Sequence, residues 1–274
     1  GGGMQTKSLR LKAANGKQYV LRSIEKYPEN AIPIVLRNTF AQDVVQDQIS
    51  SSHPYAAYII PHLAEAVGIY HTNPKPVIIP DDPLLGEHRQ PFAGLLALYE
   101  ERPNKEAAGD PHFGGGKDVE GTFKVLEELQ EDNDNLIDQH FVVRNRLFDL
   151  WIGDWDRHDD QWRWSEFKNE YGGNTYRPIP RDRDQAFFIN EGIIPYLAAR
   201  KWALPKIEGF DEEVDWAPGL ADNARFFDRT FMNEPDWNDW YQQIKELQTQ
   251  LSDEVIDQAI DKWPKEIQSL TGER

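Results

Sequence analysis

The chain contains no cysteine, so neither a disulfide nor a thiolate metal site contributes to its stability or its chemistry. That absence fits the cytosol and the periplasm equally. No apolar run approaches the ~20 residues that a membrane helix needs, which argues against membrane insertion of this domain itself. Basic charge is scarce: 30 Lys and Arg stand against 47 Asp and Glu, a net charge of −17. Such a surface repels nucleic acid and anionic lipid headgroups, which counts against a nucleic-acid partner and a phosphoinositide substrate. There is no GxGxxG, and Gly114-Gly115-Gly116-Lys117 lacks the GxxxxGKS/T spacing, with Asp118 where Ser or Thr belongs. It reads as a flexible loop. No internal repeat and no signal peptide are found. Gly1 to Gly3 precede Met4, and residues 1–7 read as a tag remnant or disordered start, which leaves a native leader open.

What is present is a core. Hydrophobic residues make up 39% of the 274 and aromatics 12%, enough for one large domain or a bilobal unit. The richest stretch runs from Ile152 to Phe188: IGDWDRHDDQW, a hairpin pattern, then PIPRDRDQAFF. Trp162 to Phe167 alternates as a half-buried strand should, Lys168 to Asn174 is turn chemistry with Gly172 and Gly173, and Thr175 to Ile179 returns. This hairpin is expected to bring Asp156 and Asp159 near Asp182 and Asp184. Asp156 and Asp182 are expected to face one cleft and share a metal site; crowded carboxylates repel, so at least one of these two should have a raised pKa, and a divalent cation is the usual remedy. Trp151, Trp155, Trp162 and Trp164 read as core, with base stacking by Trp155 as the alternative.

DRHDDQW followed by RDRDQAF resembles the DRxxxNW and DNGxAF blocks of type II phosphatidylinositol 4-kinases. It is also similar to the DxHxxN block of HipA-type kinases and the DxDxxF block of CotH-type spore-coat kinases. More weakly, the whole chain resembles a domain of Bacteroidetes envelope proteins that sits between a metallophosphoesterase and a β-barrel. That last likeness implies a periplasmic or envelope location, with the cytoplasm still open. The resemblance implies an α+β, bilobal protein-kinase-like fold with a small β-rich N-lobe (8–102) and a mainly helical C-lobe (103–274). In such folds an Asp opens a loop, a metal-binding Asn follows five residues later, and a hairpin leads to a second metal-binding Asp. Asp156 would be the catalytic group, and Asp182, Gln161 and Asp184 would hold Mg2+ or Mn2+. Gln161 stands where Asn is usual.

The rest of the chain is read against that layout. Ser8 to Lys26 forms strands around Asn15-Gly16, with Leu9, Leu11, Tyr19, Leu21 and Ser23 alternating with charged positions. Arg22 takes the position of the lobe's phosphate-binding Lys, with Lys26 the substitute; the alternative is a pair of solvated strand-edge charges. Asn38 to Ser52 reads as a helix whose Asp43 and Asp47 either pair with that cation or form its wet face. His53 to Tyr70 reads as a buried helix interrupted at Pro61. Lys75 to Pro80 and Pro91 to Glu100 read as strands, the second ending in the inter-lobe linker, so that Leu98, Tyr99 and Glu100 offer backbone groups to adenine. Glu120 to Ile152 reads as helical, with Phe123, Leu126 and Leu129 on one face. Trp237, Trp240, Tyr241, Ile244, Leu247 and Leu251 mark a further helix, and Ile256, Ile260 and Trp263 the core face of the next.

The expected function is a metal-dependent, ATP-binding phosphotransferase acting on an unidentified hydroxyl acceptor. At −17, a bare triphosphate is expected to bind poorly without the cation. Arg157 is expected to neutralise the acidic cluster, His158 to pack or hydrogen-bond, and Asp159 and Asp160 to be solvated or to cap a helix. The departures at Arg22 and Gln161 keep a pseudokinase scaffold, or adenylyl or glutamyl transfer on the same fold, open. A metal-dependent phosphohydrolase ranks below these, because one His beside the cluster ligates metal poorly.

Overall fold

A computed structural model describes residues 6–25, 55–189, 209–211, 213–214 and 216–271. Lys26 and the helix expected over 38–52 lie outside them. The order of elements is that of an α+β fold in two parts: a small sheet first, then a mainly helical part with a second sheet built around the expected hairpin.

The first sheet has strands β1 (Ser8–Lys12), β2 (Gln18–Ser23), β3 (Lys75–Ile78) and β4 (Leu96–Arg102), in the order β1-β2-β4-β3 and all antiparallel. Asn15-Gly16 makes the β1–β2 turn, with Gly16 at a positive φ of 86°. The register sorts the two faces. Leu9 opposite Leu21 and Leu21 opposite Tyr99 put one set of side chains on a core with Ile79, Phe92 and Ala97. The other face carries Arg10, Val20, Arg22, Leu98, Glu100 and Arg102, since Arg22 pairs with Leu98, Val20 with Arg10 and Glu100, and Gln18 with Arg102. β4 starts later than expected: Arg89–Phe92 forms a helical turn around Pro91 instead of strand.

Helix α1 (Ala56–Ala66) is buried as expected, at Ala56, Ile59, Ile60, Leu63 and Ala64, but it runs through Pro61 as one helix where an interruption is expected. By position it belongs to the first lobe, but it packs into the core of the helical part, against Phe148, Ile152, Leu247 and Ala259. The Trp263 indole N–H donates to the Tyr55 carbonyl at 3.0 Å and ties the C-terminal part to the start of α1.

The second sheet was only half expected. β7 (Trp162–Lys168) and β8 (Asn174–Pro180) form the hairpin, but β5 (Asp118–Gly121) and the two-residue β6 (Leu136–Ile137) extend it to the order β5-β7-β8-β6. Helix therefore starts later on each side: α2 covers Thr122–Glu131 and α3 covers Gln139–Trp151, capped by the Asp138 carboxylate accepting from Phe141 N–H at 3.0 Å. On α2, Thr122 and Val125 face inward and Leu126 and Leu129 pack against the same core, whereas Phe123, expected on their face, is 72% exposed. The 103–117 segment is not a loose loop: it makes two 3-10 turns, buries Phe113, and its Lys117 N–H donates to Glu166 at 2.8 Å. Trp162 and Trp164 are fully buried and stack on Phe227 of α4 (Arg225–Phe231).

Three further helices close the described residues: α5 (Trp237–Gln250) with an Asp236–Asp239 capping box, α6 (Asp253–Ile260) capped by Ser252, and α7 (Lys265–Thr271). The expected apolar face of α5 is covered toward its C-terminal end, where Leu247 is buried and Leu251 packs on the core, whereas Trp237 is 78% exposed. Among the described residues no helix is long and apolar enough to cross a membrane.

Candidate functional site

The strand order aims one cation across the lobe junction. Arg22 sits in β2 on the face away from the small core, and its guanidinium donates to the carboxylate of Asp182, just beyond β8. Its Nε lies 3.6 Å from Glu100 Oε2 on the neighbouring β4. Burial lowers the Arg22 pKa, but Asp182, Glu100 and Asp184 outweigh it and raise it. Arg22, Leu98, Glu100, Asp182 and Asp184 line one cleft, closed by Ile60 of α1. Arg22 is thus no solvated strand-edge charge.

Asp182 has a left-handed backbone, φ 57°, which a non-glycine residue rarely adopts and which Asp tolerates better than most. Burial pushes its carboxyl up, the Asp184 charge pushes it further, and Arg22, Arg181 and Arg157 pull it back; the balance is a raised pKa. The expected raised carboxyl is found, with burial ahead of like-charge repulsion as its cause. Glu100 is raised by burial as well, against Arg22, and accepts from the Thr72 hydroxyl.

The other expected site residues stand elsewhere. Asp156 does not line this cleft; its Oδ1 accepts from Asn223 Nδ2 at 2.9 Å, and its N–H donates to Asp154 at 3.3 Å. Gln161 is buried, and its side-chain amide nitrogen lies 3.4 Å from His158 Nε2, within the loop; its backbone carbonyl accepts from Arg181 N–H at 2.9 Å. Leu98, Tyr99 and Glu100 lie inside β4 and not in a linker. Leu98 and Tyr99 are paired on both sides, and the Tyr99 side chain points to the core face and stacks on Tyr19. The reason is strand length: β4 runs on to Arg102, whereas β3 pairs with it only as far as Tyr99. Beyond Tyr99 that edge of β4 has no strand neighbour among the described residues. Also among the described residues, no group of three His, Asp or Glu side chains converges as a metal site.

Two residues without an assigned role in the sequence, Asp149 and Asp154, organise the loop. Asp149 is fully buried at the end of α3 and is bound by Arg146 (3.0 Å), Arg183 (2.9 Å) and Arg157 (3.3 Å). Burial raises its pKa, but Arg157, Arg183 and Arg146 outweigh burial and lower it. Asp154 lies 3.5 Å from Arg157, and burial lifts its carboxyl to about 7, Arg157 opposing and Asp149 adding. Arg157 also donates to the Arg181 carbonyl at 2.7 Å and covers the Trp162 ring at 4.5 Å. Its ion pairs are with these buried acids, and of the clustered carboxylates it acts on Asp182. The network clamps the loop at 153–161 and the segment at 181–188 to the same helix end. The only sequence signal was the dense alternation of Asp and Arg in the motif itself.

No protein-family model matches the chain, and no curated protein matches it. Among solved structures it is similar to the proinflammatory kinase CtkA of Helicobacter pylori, with 10% identity, a TM-score of 0.40, and 96% of this chain and 86% of that one covered. It is also similar to the Rio2 kinase of Chaetomium thermophilum in a complex described as ADP/Mg2+-phosphoaspartate, with 13% identity, a TM-score of 0.38, and 100% and 70% covered. Likenesses this distant bear on neither reaction nor ligand.

Proposed function

We propose that the chain is a kinase-like phosphotransferase domain that binds a nucleotide with Mg2+ or Mn2+ in the cleft below the first sheet. The observation that carries this reading is the Arg22–Asp182 pair: a cation from β2 and a carboxylate following the hairpin meet in one cleft, as phosphate and metal groups must. Arg22 would take phosphate oxygens, and Asp182 with Asp184 would take the cation. Two carboxylates, one raised by burial and then by its neighbour, fit a cation shared with phosphates and not an all-protein cage. The bound cation would neutralise charge on the phosphates. The free edge of β4 beyond Tyr99, at Glu100 and after it, is the place for adenine.

Asp156 would accept the proton of the acceptor hydroxyl while that oxygen bonds to the transferred phosphorus and the bond to the leaving phosphate breaks. Gln161 is the neutral candidate ligand. A second reading, a scaffold without turnover, is favoured by one observation: Asp156 does not line the Arg22–Asp182 cleft. An envelope setting rests on the sequence resemblance alone.

Calorimetry with ATP and Mg2+ or Mn2+ tests the binding half. Wild type should bind more tightly with the cation than without it, and Asp182→Ala should lose that gain. Equal binding by both proteins, or no binding by either, would sink the reading.

A further inference from the structure

The lobe junction gathers arginines in a chain whose net charge is −17. The β1–β2–β4 register puts Arg10, Arg22 and Arg102 on the face that looks across the junction. From the other side come Arg163 of β7 and Arg181 after β8, which lines the cleft beside Asp182. Arg181 and Arg163 meet on Asp160, whose carbonyl accepts from Arg181 and whose carboxylate faces Arg163. Arg102 is lowered by burial, Arg10 and Arg163, and Arg163 by burial and Arg10. The carboxylate acting on Arg102, Arg163 and Arg181 is Asp160, whose side chain is 78% exposed and lies 3.8 Å from Arg163. Arg181 keeps a buried Nε with no hydrogen-bond partner, although its Nη2 donates to the Asp160 carbonyl at 2.7 Å. Like charges held together and left short of counter-charge cost stability, unless an anion restores the balance.

We propose that Arg10, Arg102, Arg163 and Arg181 form an anion site for a phosphate-type polyanion, separate from the Arg22–Asp182 pair and independent of a divalent cation. Net charge describes the whole surface, whereas a ligand meets the local field, and here that field is positive. The anion has two sources of one chemistry: the polyphosphate of the nucleotide, or a phosphoryl group on the acceptor. The site does not need the kinase reading to hold.

The test uses inorganic tripolyphosphate in a chelated, cation-free, low-salt buffer, with binding followed by calorimetry. Wild type should bind it, and raised salt should weaken binding. Arg102→Gln and Arg163→Gln should each bind at least about tenfold more weakly, and Arg102→Lys should keep most of the affinity, as a charge effect requires. Arg10→Gln removes an exposed side chain, so its loss of affinity cannot be laid to misfolding. Asp182→Ala should bind tripolyphosphate no less tightly than wild type, although it loses the cation-dependent gain with ATP; the two sites therefore fail separately. ATP that displaces tripolyphosphate assigns the anion to the nucleotide, and binding of both together assigns it to the acceptor; each supports the site. Binding only in the presence of the cation, or unchanged binding in all the arginine variants, overturns it.

Discussion

Asp154 is a buried acid two residues before the proposed catalytic Asp156, held 3.5 Å from Arg157 and close to a second buried acid, Asp149. Its carboxyl is lifted from the usual 3.8 to about 7. The native state therefore keeps a proton that the unfolded chain releases. The stability linked to that proton is complete below pH 3.8 and is lost as pH rises through about 7. Asp182, Glu100 and Asp228 are raised too, so they act in the same direction. Asp154→Asn keeps the shape and an acceptor oxygen but removes the titration. Its melting temperature is expected to fall less than that of wild type over this range, and to exceed wild type at and above neutral pH. Parallel profiles for the two proteins would mean that Asp154 is not the group responsible.

At the scale of elements, the hairpin turn holds two adjacent glycines for different reasons. Gly172 needs its positive φ of 96° and has open space around it. Gly173 has no such backbone requirement, but a Cβ there would overlap the Asp134 carbonyl, where the chain enters β6. Gly172→Ala should cost about 1 kcal/mol through backbone strain, whereas Gly173→Ala should cost more, about 1–3 kcal/mol, by pushing β6 from β8. Urea denaturation of the two variants orders them, and the reverse order would remove the close approach as the reason for Gly173. The hairpin itself was legible from Trp162 to Ile179, because alternation and turn chemistry are local. β5 and β6 were not: four and two residues long, they owe their strand state to pairing with β7 and β8, which no local pattern encodes. Arg22 could be placed by its strand, but its reach to Asp182 depends on how the lobes meet. The roles of Asp149 and Asp154 were hidden for the same reason, since each takes its meaning from arginines brought close by the fold.

The whole molecule joins two sheets through a cleft, so a ligand bound there contacts both lobes and stabilises the native state by mass action. At about 100 times its dissociation constant a ligand contributes roughly 2.7 kcal/mol, which for a chain of this size is a rise of several degrees in melting temperature. ATP with Mg2+ or Mn2+ is expected to produce that rise in wild type. Asp156→Ala should show the same rise but no phosphoryl transfer, because its proposed role is toward the acceptor and its carboxylate stands outside the Arg22–Asp182 cleft. Gln161→Asn separates the two functional readings. In an active enzyme it restores the usual ligand one methylene nearer the backbone, and turnover should hold or increase. In a scaffold, wild type and Gln161→Asn should both melt later with nucleotide while neither transfers phosphate to any hydroxyl or to water. If nucleotide and cation together leave the melting temperature of wild type unchanged, the cleft does not take a nucleotide, and the Arg22–Asp182 pair is a structural bridge between the lobes.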